Sequence, residues 1–125
     1  MSLPPYAELL GLTLDTDDAG HPIVTMAFAD DLLGRPGFVH GGAIGGMLEM
    51  AAWVALRHAL GTAEATIKPI NVTIDYMRGG RERTTWAAGS VTRLGARIAN
   101  VSATAWQDDR DRPIAAARLN YLLRR

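Results

Sequence analysis

The sequence predicts an α+β fold in which a five-stranded antiparallel sheet wraps around one long central helix. Apolar side chains in residues 41–60 fall on nearly every side of a helix, which is typical of a helix buried on most of its surface. Residues 70–76 alternate apolar and polar side chains, which is the two-residue period of a strand. Consecutive strands joined by short turns pair antiparallel, and the segments that follow have such turns between them.

The first part of the chain is predicted to contain short elements. Two prolines followed by apolar residues predict a short helix at residues 4–10, with proline in its first turn. Residues 23–28 are interpreted as the first strand, and residues 33–40, which contain two glycines and a proline, as a loop. The long helix, residues 41–60, is expected to end near Gly61.

The second part of the chain is predicted to complete the sheet. Residues 84–94 and 97–107 are joined by a short glycine-containing segment, which indicates a hairpin. A polar turn then leads to the last strand at residues 113–123. Because the chain has 125 residues and no linker, repeat or low-complexity tract, residues 1–125 are predicted to form one domain.

The composition argues against several classes of protein. Lys and Arg total 13, as do Asp and Glu, so no net charge attracts nucleic acid or a membrane surface. The absence of cysteine excludes disulfide scaffolds, thiolate metal sites and cysteine nucleophiles, and the three scattered histidines lack metal-ligand spacing. Neither a signal peptide nor a bilayer-spanning segment is evident. We therefore expect a cytoplasmic protein without a metal, nucleic-acid or membrane partner.

Glu49 is the candidate for acid–base chemistry. It is the only charged residue between Arg35 and Arg57, and a carboxylate in apolar surroundings is costly unless it is paired, protonated or used. Burial raises the proton affinity of a carboxylate, and a general base that works at neutral pH requires such a raised affinity. The alternative is that Glu49 reaches solvent or pairs with an arginine such as Arg78 or Arg93.

Gly41 and Gly42 begin the same predicted helix. Free N–H groups at a helix N-terminus favour negative charge, including a developing oxyanion, and glycine permits a substrate carbonyl to approach the backbone closely. The alternative interpretation is that the two glycines only form a tight turn into the helix. His40, immediately before them, is interpreted as a residue that orders this turn rather than as the base.

The spacing of these residues predicts a dimer. Glu49 lies eight residues after Gly41, which is about 12 Å along a helix that rises 1.5 Å per residue. A base or nucleophile and an oxyanion donor must both lie about 3 Å from one reacting carbon, which one helix cannot easily arrange. If both groups act on one bond, Glu49 of one chain must meet Gly41 of another across facing central helices.

The same segment carries a family resemblance. His-Gly-Gly beginning at His40, with Glu49 nine positions after the histidine, resembles the hotdog-fold thioesterase superfamily, specifically its phenylacetic acid degradation type. Residues 71–78 resemble the alternating strand of that family, which ends in Tyr-Leu-Arg, and residues 93–97 resemble its Gly-Arg-Arg hairpin. The resemblance covers about residues 6–123.

This resemblance implies a fold, an activity and a site. It implies the hotdog fold, homodimers with a continuous sheet that often pair into homotetramers, and hydrolysis of acyl-CoA thioesters in which coenzyme A is part of the substrate. It implies that the Gly41 amide polarises the thioester carbonyl while Glu49 of the partner chain activates water or attacks directly. Arg78, Arg93 and Arg97 lie in regions where family members tend to meet the CoA tail.

Two positions depart from the pattern of the family. Gly34 stands seven residues before Gly41, where the family usually has an Asn or Gln that helps to hold the catalytic water or carbonyl. Trp53, one helical turn after Glu49, stands where some members carry a hydroxyl group. We expect the indole of Trp53 to contact the substrate and to narrow the acyl pocket.

Three functions are compatible with these observations. The leading hypothesis is an acyl-CoA thioesterase that acts on aryl- or medium-chain acyl-CoA. The alternative, motivated by Gly34, is a non-catalytic hotdog protein that binds acyl-CoA. A hotdog hydratase or dehydratase ranks lowest, because those enzymes use a histidine in an upstream loop and this chain has Arg35 in that region.

Overall fold

The computed structural model describes residues 2–125, which form an antiparallel sheet and a long helix. In chain order the elements are α1 (Pro5–Leu9), β1 (Leu12–Thr16), β2 (Pro22–Met26), a 3₁₀ turn (Asp30–Leu32), α2 (Gly41–Leu60), β3 (Thr66–Tyr76), β4 (Thr85–Leu94), β5 (Ile98–Trp106) and β6 (Ala115–Arg124). The predicted α+β fold is confirmed, and so is the extent of the long helix.

The sheet has six strands in the order β1-β2-β4-β5-β6-β3, and every neighbouring pair is antiparallel. The strands wrap around α2, which supplies much of the core with its buried apolar residues. At Gly89 of β4 the sheet approaches the helix so closely that an added Cβ would lie 2.8 Å from the carbonyl oxygen of Ala51. Within residues 2–125, no helix combines the length and the apolar character that a membrane span requires.

The prediction of five strands is wrong, because β1 forms a hairpin with β2 at one edge of the sheet. The sequence pattern of β1 is a weak indication of a strand, since β1 is short and only Leu12 of its five residues is buried. The hairpin depends instead on its turn, where the Asp17 side chain accepts hydrogen bonds from the N–H groups of Ala19 and His21 at 3.0 and 2.9 Å. The hydrogen bond from His21 lowers the pKa of Asp17.

Strand β3 begins earlier than predicted and lies at the other edge of the sheet. It starts at Thr66 rather than at residue 70, and it contains Pro69, after which its register with β6 shifts. Proline has no N–H to donate and is therefore confined largely to edge strands and bulges, so it obscured the start of this strand. Apart from β6, β3 has no strand partner within residues 2–125.

Candidate active site

The first turn of α2 leaves one backbone donor without an acceptor. The N–H of Gly42 donates to the His40 Nδ1 atom at 2.8 Å, and the N–H groups of Ala43 and Ile44 donate to the His40 carbonyl at 3.0 and 3.2 Å. Among the residues that the structure describes, the N–H of Gly41 has no hydrogen-bond acceptor. This N–H is therefore available to a ligand carbonyl.

His40 caps the helix. Its backbone, with φ −59° and ψ 133°, lies outside the helical region, and its ring accepts from the second residue of the helix. A ring whose Nδ1 accepts a hydrogen bond carries its proton on Nε2 when it is neutral. The exposed imidazole thus uses one nitrogen to order the turn, which is the role that the sequence predicted for it.

We expect His40→Ala to lower the free energy of unfolding by about 1 kcal/mol, because the variant loses the cap of α2. His40→Asn should retain most of the stability, since asparagine is among the best residues at this position. Urea denaturation of the two variants and the wild-type protein measures the difference. Equal stability of His40→Ala and the wild-type protein would show that the cap is unimportant.

An open cleft of about 570 Å³ lies beside the start of α2. It is lined by three of the predicted site residues, His40, Gly41 and Arg78, and also by Tyr76 from the end of β3. Gly42 does not line this cleft and instead contributes to a second cleft of about 400 Å³ on the side of α1. The two predicted glycines therefore face different surroundings, and only Gly41 lines the cleft that contains Arg78.

Arginine side chains make the rim of the Gly41 cleft positive. Arg35 and Arg78 line it, and the guanidinium groups of Arg35 and Arg81 lie 4.1 and 4.5 Å from the centre of the Phe38 ring. Within residues 2–125, none of these three arginines has a carboxylate within 4.0 Å. Unpaired guanidinium groups at a cleft suit phosphate groups.

Glu49 lies in a separate, mostly apolar cavity of about 110 Å³. The cavity is lined by Glu49 and by residues of α2, β3 and β6: Met50, Trp53, Pro69, Leu119 and Tyr121. The carboxylate is half-buried and forms no ion pair or hydrogen bond within residues 2–125, so pairing with Arg78 or Arg93 is not observed. Its partial exposure agrees with the other alternative, that Glu49 reaches solvent. Trp53 is beside Glu49 as expected.

Tyr121 is a further polar group beside Glu49. It is only 3% exposed, and burial, together with the nearby negative charge of Glu49, raises its pKa well above the usual range. The phenol is therefore protonated at neutral pH. This proximity could not be predicted from the sequence, because Tyr121 shares the core face of its strand with Leu119 and Leu123 and resembles an ordinary core residue.

The predicted site residues thus divide into separate groups. His40, Gly41 and Arg78 share one cleft, while Glu49 and Trp53 share another cavity. Arg93, near the end of β4, and Arg97, before β5, are exposed on the hairpin between these strands and line neither space. No group of three or more potential metal-ligating side chains occurs within residues 2–125.

Gly34 lines the Gly41 cleft, but the backbone leaves little room for a larger residue there. A Cβ at Gly34 would lie 3.0 Å from the Cα of His40. An asparagine or glutamine at this position would therefore require the loop before α2 to shift. Any activity must use groups other than a side chain at position 34.

Comparison with known proteins identifies the family and the fold. The sequence model of the thioesterase superfamily matches residues 36–114. This segment includes the start of α2 and the residues of α2 that line the Glu49 cavity. The comparison with curated proteins gave no significant sequence match.

Several solved structures have the same hotdog fold. A Chromobacterium violaceum protein is 37% identical, with 96% of this chain and 83% of that one covered and a TM-score of 0.79. A phenylacetic acid degradation-related protein from Ralstonia eutropha is 20% identical, with coverage of 98% and 92% and a TM-score of 0.83. A Bacillus halodurans protein solved with CoA is 17% identical, with coverage of 98% and 80% and a TM-score of 0.86.

Proposed function

Because this chain belongs to the thioesterase superfamily, we propose that it hydrolyses an aryl- or medium-chain acyl-CoA to the free acid and CoA. The observation that carries this proposal is the carboxylate of Glu49, which lies unpaired among the described residues in an apolar cavity. A carboxylate that lines a mostly apolar cavity without a partner in the described chain is a candidate for a chemical role, which supports the proposal.

The complete site is proposed to form between two chains. Gly41 and Glu49 open into different spaces of one chain, as their eight-residue separation on α2 requires. A second copy could supply the missing half at the open edge of β3, where Ile70 and Tyr76 are each 54% exposed. The half-buried helix residues Glu49, Met50 and Trp53 lie toward this edge, next to Pro69. We therefore propose a homodimer, and the family resemblance adds the pairing of two such dimers into a homotetramer.

In the proposed reaction the Gly41 N–H donates to the thioester oxygen and stabilises the negative charge that develops there. The partner's Glu49 acts in one of two ways. As a base it removes a proton from water while the water oxygen attacks the carbonyl carbon, and the C–S bond then breaks as CoA leaves and is protonated. As a nucleophile it forms an acyl anhydride and expels CoA, and water then hydrolyses the anhydride.

Binding of the substrate is proposed to use both spaces. The CoA portion would lie along Arg35 and Arg78, which line the cleft, with Arg81 close by over the Phe38 ring. The resemblance adds Arg93 and Arg97 as further candidates. The Bacillus halodurans protein of the same fold was solved with CoA, which supports this class of ligand. The acyl group would enter the apolar cavity beside Trp53. The volume of this cavity, about 110 Å³ in one chain, favours small or slender groups.

A non-catalytic acyl-CoA-binding protein is the second candidate. Gly34 favours it, because glycine lacks the amide side chain that the family usually carries at this position. Both proposed functions require acyl-CoA to bind, but only the thioesterase releases free thiol from it.

Thiol release from benzoyl-CoA, phenylacetyl-CoA, hexanoyl-CoA and octanoyl-CoA tests the proposal. The expected result is enzyme-dependent release from at least one aryl or medium-chain substrate, detected with a thiol reagent. Calorimetry with the same compounds is the companion measurement. Tight binding without thiol release over hours would reject hydrolysis in favour of the binding protein.

A further inference from the structure

We propose that Tyr76 is a positioning residue, which together with His40 fixes the orientation of the Gly41 amide. This inference rests on the proposed function, since it assigns to Tyr76 the task of holding the donor that meets the thioester oxygen. In this role Tyr76 acts through the backbone carbonyl of Gly41 and does not touch the reacting atoms.

The peptide unit between Gly41 and Gly42 is held at both ends. Its carbonyl oxygen, on Gly41, accepts a hydrogen bond from the Tyr76 hydroxyl at 2.8 Å. Its N–H, on Gly42, donates to the His40 Nδ1 atom at 2.8 Å. Rotation of this peptide plane would break both hydrogen bonds.

The preceding peptide unit contains the free donor. Its carbonyl, on His40, accepts from the N–H groups of Ala43 and Ile44, and its N–H is that of Gly41. Two hydrogen bonds to one carbonyl polarise the peptide and strengthen its N–H as a donor. Both ends of Gly41 are thus anchored through neighbouring groups, while its N–H has no acceptor among the described residues.

Two consecutive glycines need such anchoring. Glycine has more accessible backbone conformations than any other residue, so a glycine pair does not by itself hold an N–H in one direction. Stabilisation of an oxyanion requires donors that are already oriented before the reaction, and a misplacement of about 1 Å can cost 10²-fold in rate. The Gly41 carbonyl lies in the first turn of α2, and the tyrosine hydroxyl adds a second restraint to the hydrogen bonding of the helix itself.

The positions of the glycines also explain how Tyr76 reaches this place. A Cβ at Gly41 would lie 3.5 Å from Cε1 of Tyr76, and a Cβ at Gly45 would lie 3.2 Å from the Tyr76 hydroxyl oxygen. These glycines are one helical turn apart, so they leave a shallow space on one face of α2 for the ring. Tyr76 itself is the last residue of β3, paired opposite Ala115 of β6.

The test is Tyr76→Phe, which keeps the ring and removes only the hydroxyl group. We expect kcat for octanoyl-CoA, or for the best substrate of the panel, to fall about tenfold or more, while KM rises only as much as the affinity for a ground-state carbonyl analogue falls. Tyr6→Phe is the matched control. The Tyr6 ring also packs against α2, beside Gly46, but its hydroxyl forms no hydrogen bond to Gly41. This control should retain wild-type kcat and KM.

Two non-hydrolysable probes separate this inference from the proposed function. One is the ketone analogue of octanoyl-CoA, in which a methylene group replaces sulfur and the carbonyl is kept; the other is octyl-CoA, a thioether without a carbonyl. Calorimetry should show that Tyr76→Phe weakens binding of the ketone analogue and leaves octyl-CoA unaffected. This result would support the inference even if the wild-type protein released no thiol, which would reject only the proposed hydrolysis.

Three outcomes would overturn the role of Tyr76. One is wild-type kcat together with wild-type affinity for the ketone analogue. Another is a raised KM with unchanged kcat, or equal weakening of both probes, because the hydroxyl would then contact the CoA portion directly. The third is an equal loss of kcat in Tyr6→Phe, which would show a general effect of tyrosine packing on α2.

Discussion

Glu49→Gln will abolish thiol release from every acyl-CoA that the wild-type protein hydrolyses. Glutamine has nearly the same size as glutamate, but it can neither accept the proton of water nor act as a carboxylate nucleophile. Loss of a general base costs about 10²–10⁴-fold in rate, and loss of a nucleophile costs more. Rates of thiol release at saturating substrate measure the effect.

The fold should survive this change, because Glu49 is half-buried and forms no ion pair within residues 2–125 that the substitution could break. Circular dichroism and the oligomeric mass of Glu49→Gln should match those of the wild-type protein. Glu64→Gln is the control for loss of one carboxylate, since Glu64 is exposed beyond the end of α2. Full activity of Glu49→Gln would reject the chemical role of this residue.

Gly41→Pro should lower kcat by about 10²–10³-fold, because proline has no N–H to donate to the thioester oxygen. The substitution suits this position unusually well. Gly41 is the first residue of α2, where proline is favoured, and His40 already has the extended ψ of 133° that a residue before proline adopts. The structural cost should therefore be small, and steady-state kinetics measures the loss of the donor.

Gly41→Ala is the matched control, since it adds a side chain and keeps the N–H. Its Cβ would lie 3.5 Å from the Tyr76 ring, which is an ordinary contact distance. We expect this variant to retain most of the activity. If Gly41→Ala and Gly41→Pro lost activity equally, the space beside Tyr76 would matter rather than the amide.

The elements of the fold that could be predicted are those whose sequence patterns are local to one segment. The long helix and the alternation in β3 are local patterns, and both elements were found. Strand β1 was missed because only Leu12 of its residues is buried, and the start of β3 was missed because Pro69 interrupts the pattern of a strand. Such an interruption is tolerated only at an edge, and a single segment does not reveal which strand is the edge.

The candidate site shows the same limit. The His-Gly-Gly segment and Glu49 are close in sequence, so their spacing alone predicted that one helix cannot easily supply both groups to one bond. In the structure Gly41 and Glu49 line different spaces. The contact of Tyr76 with Gly41 spans 35 residues and depends on the packing of β3 against α2. Arg35 was similarly not proposed as a ligand-binding residue, because its place beside Arg78 depends on the conformation of the loop before α2.

The central claim is that each active site combines Gly41 of one chain with Glu49 of another, and a mixture of two inactive variants tests it most directly. After subunit exchange, a dimer of one Glu49→Gln chain and one Gly41→Pro chain would contain one site with both groups intact and one site with neither. Random association of equal amounts should therefore restore about one quarter of the wild-type activity. Formation of mixed dimers, verified by differently tagged chains, without recovered activity would contradict the claim.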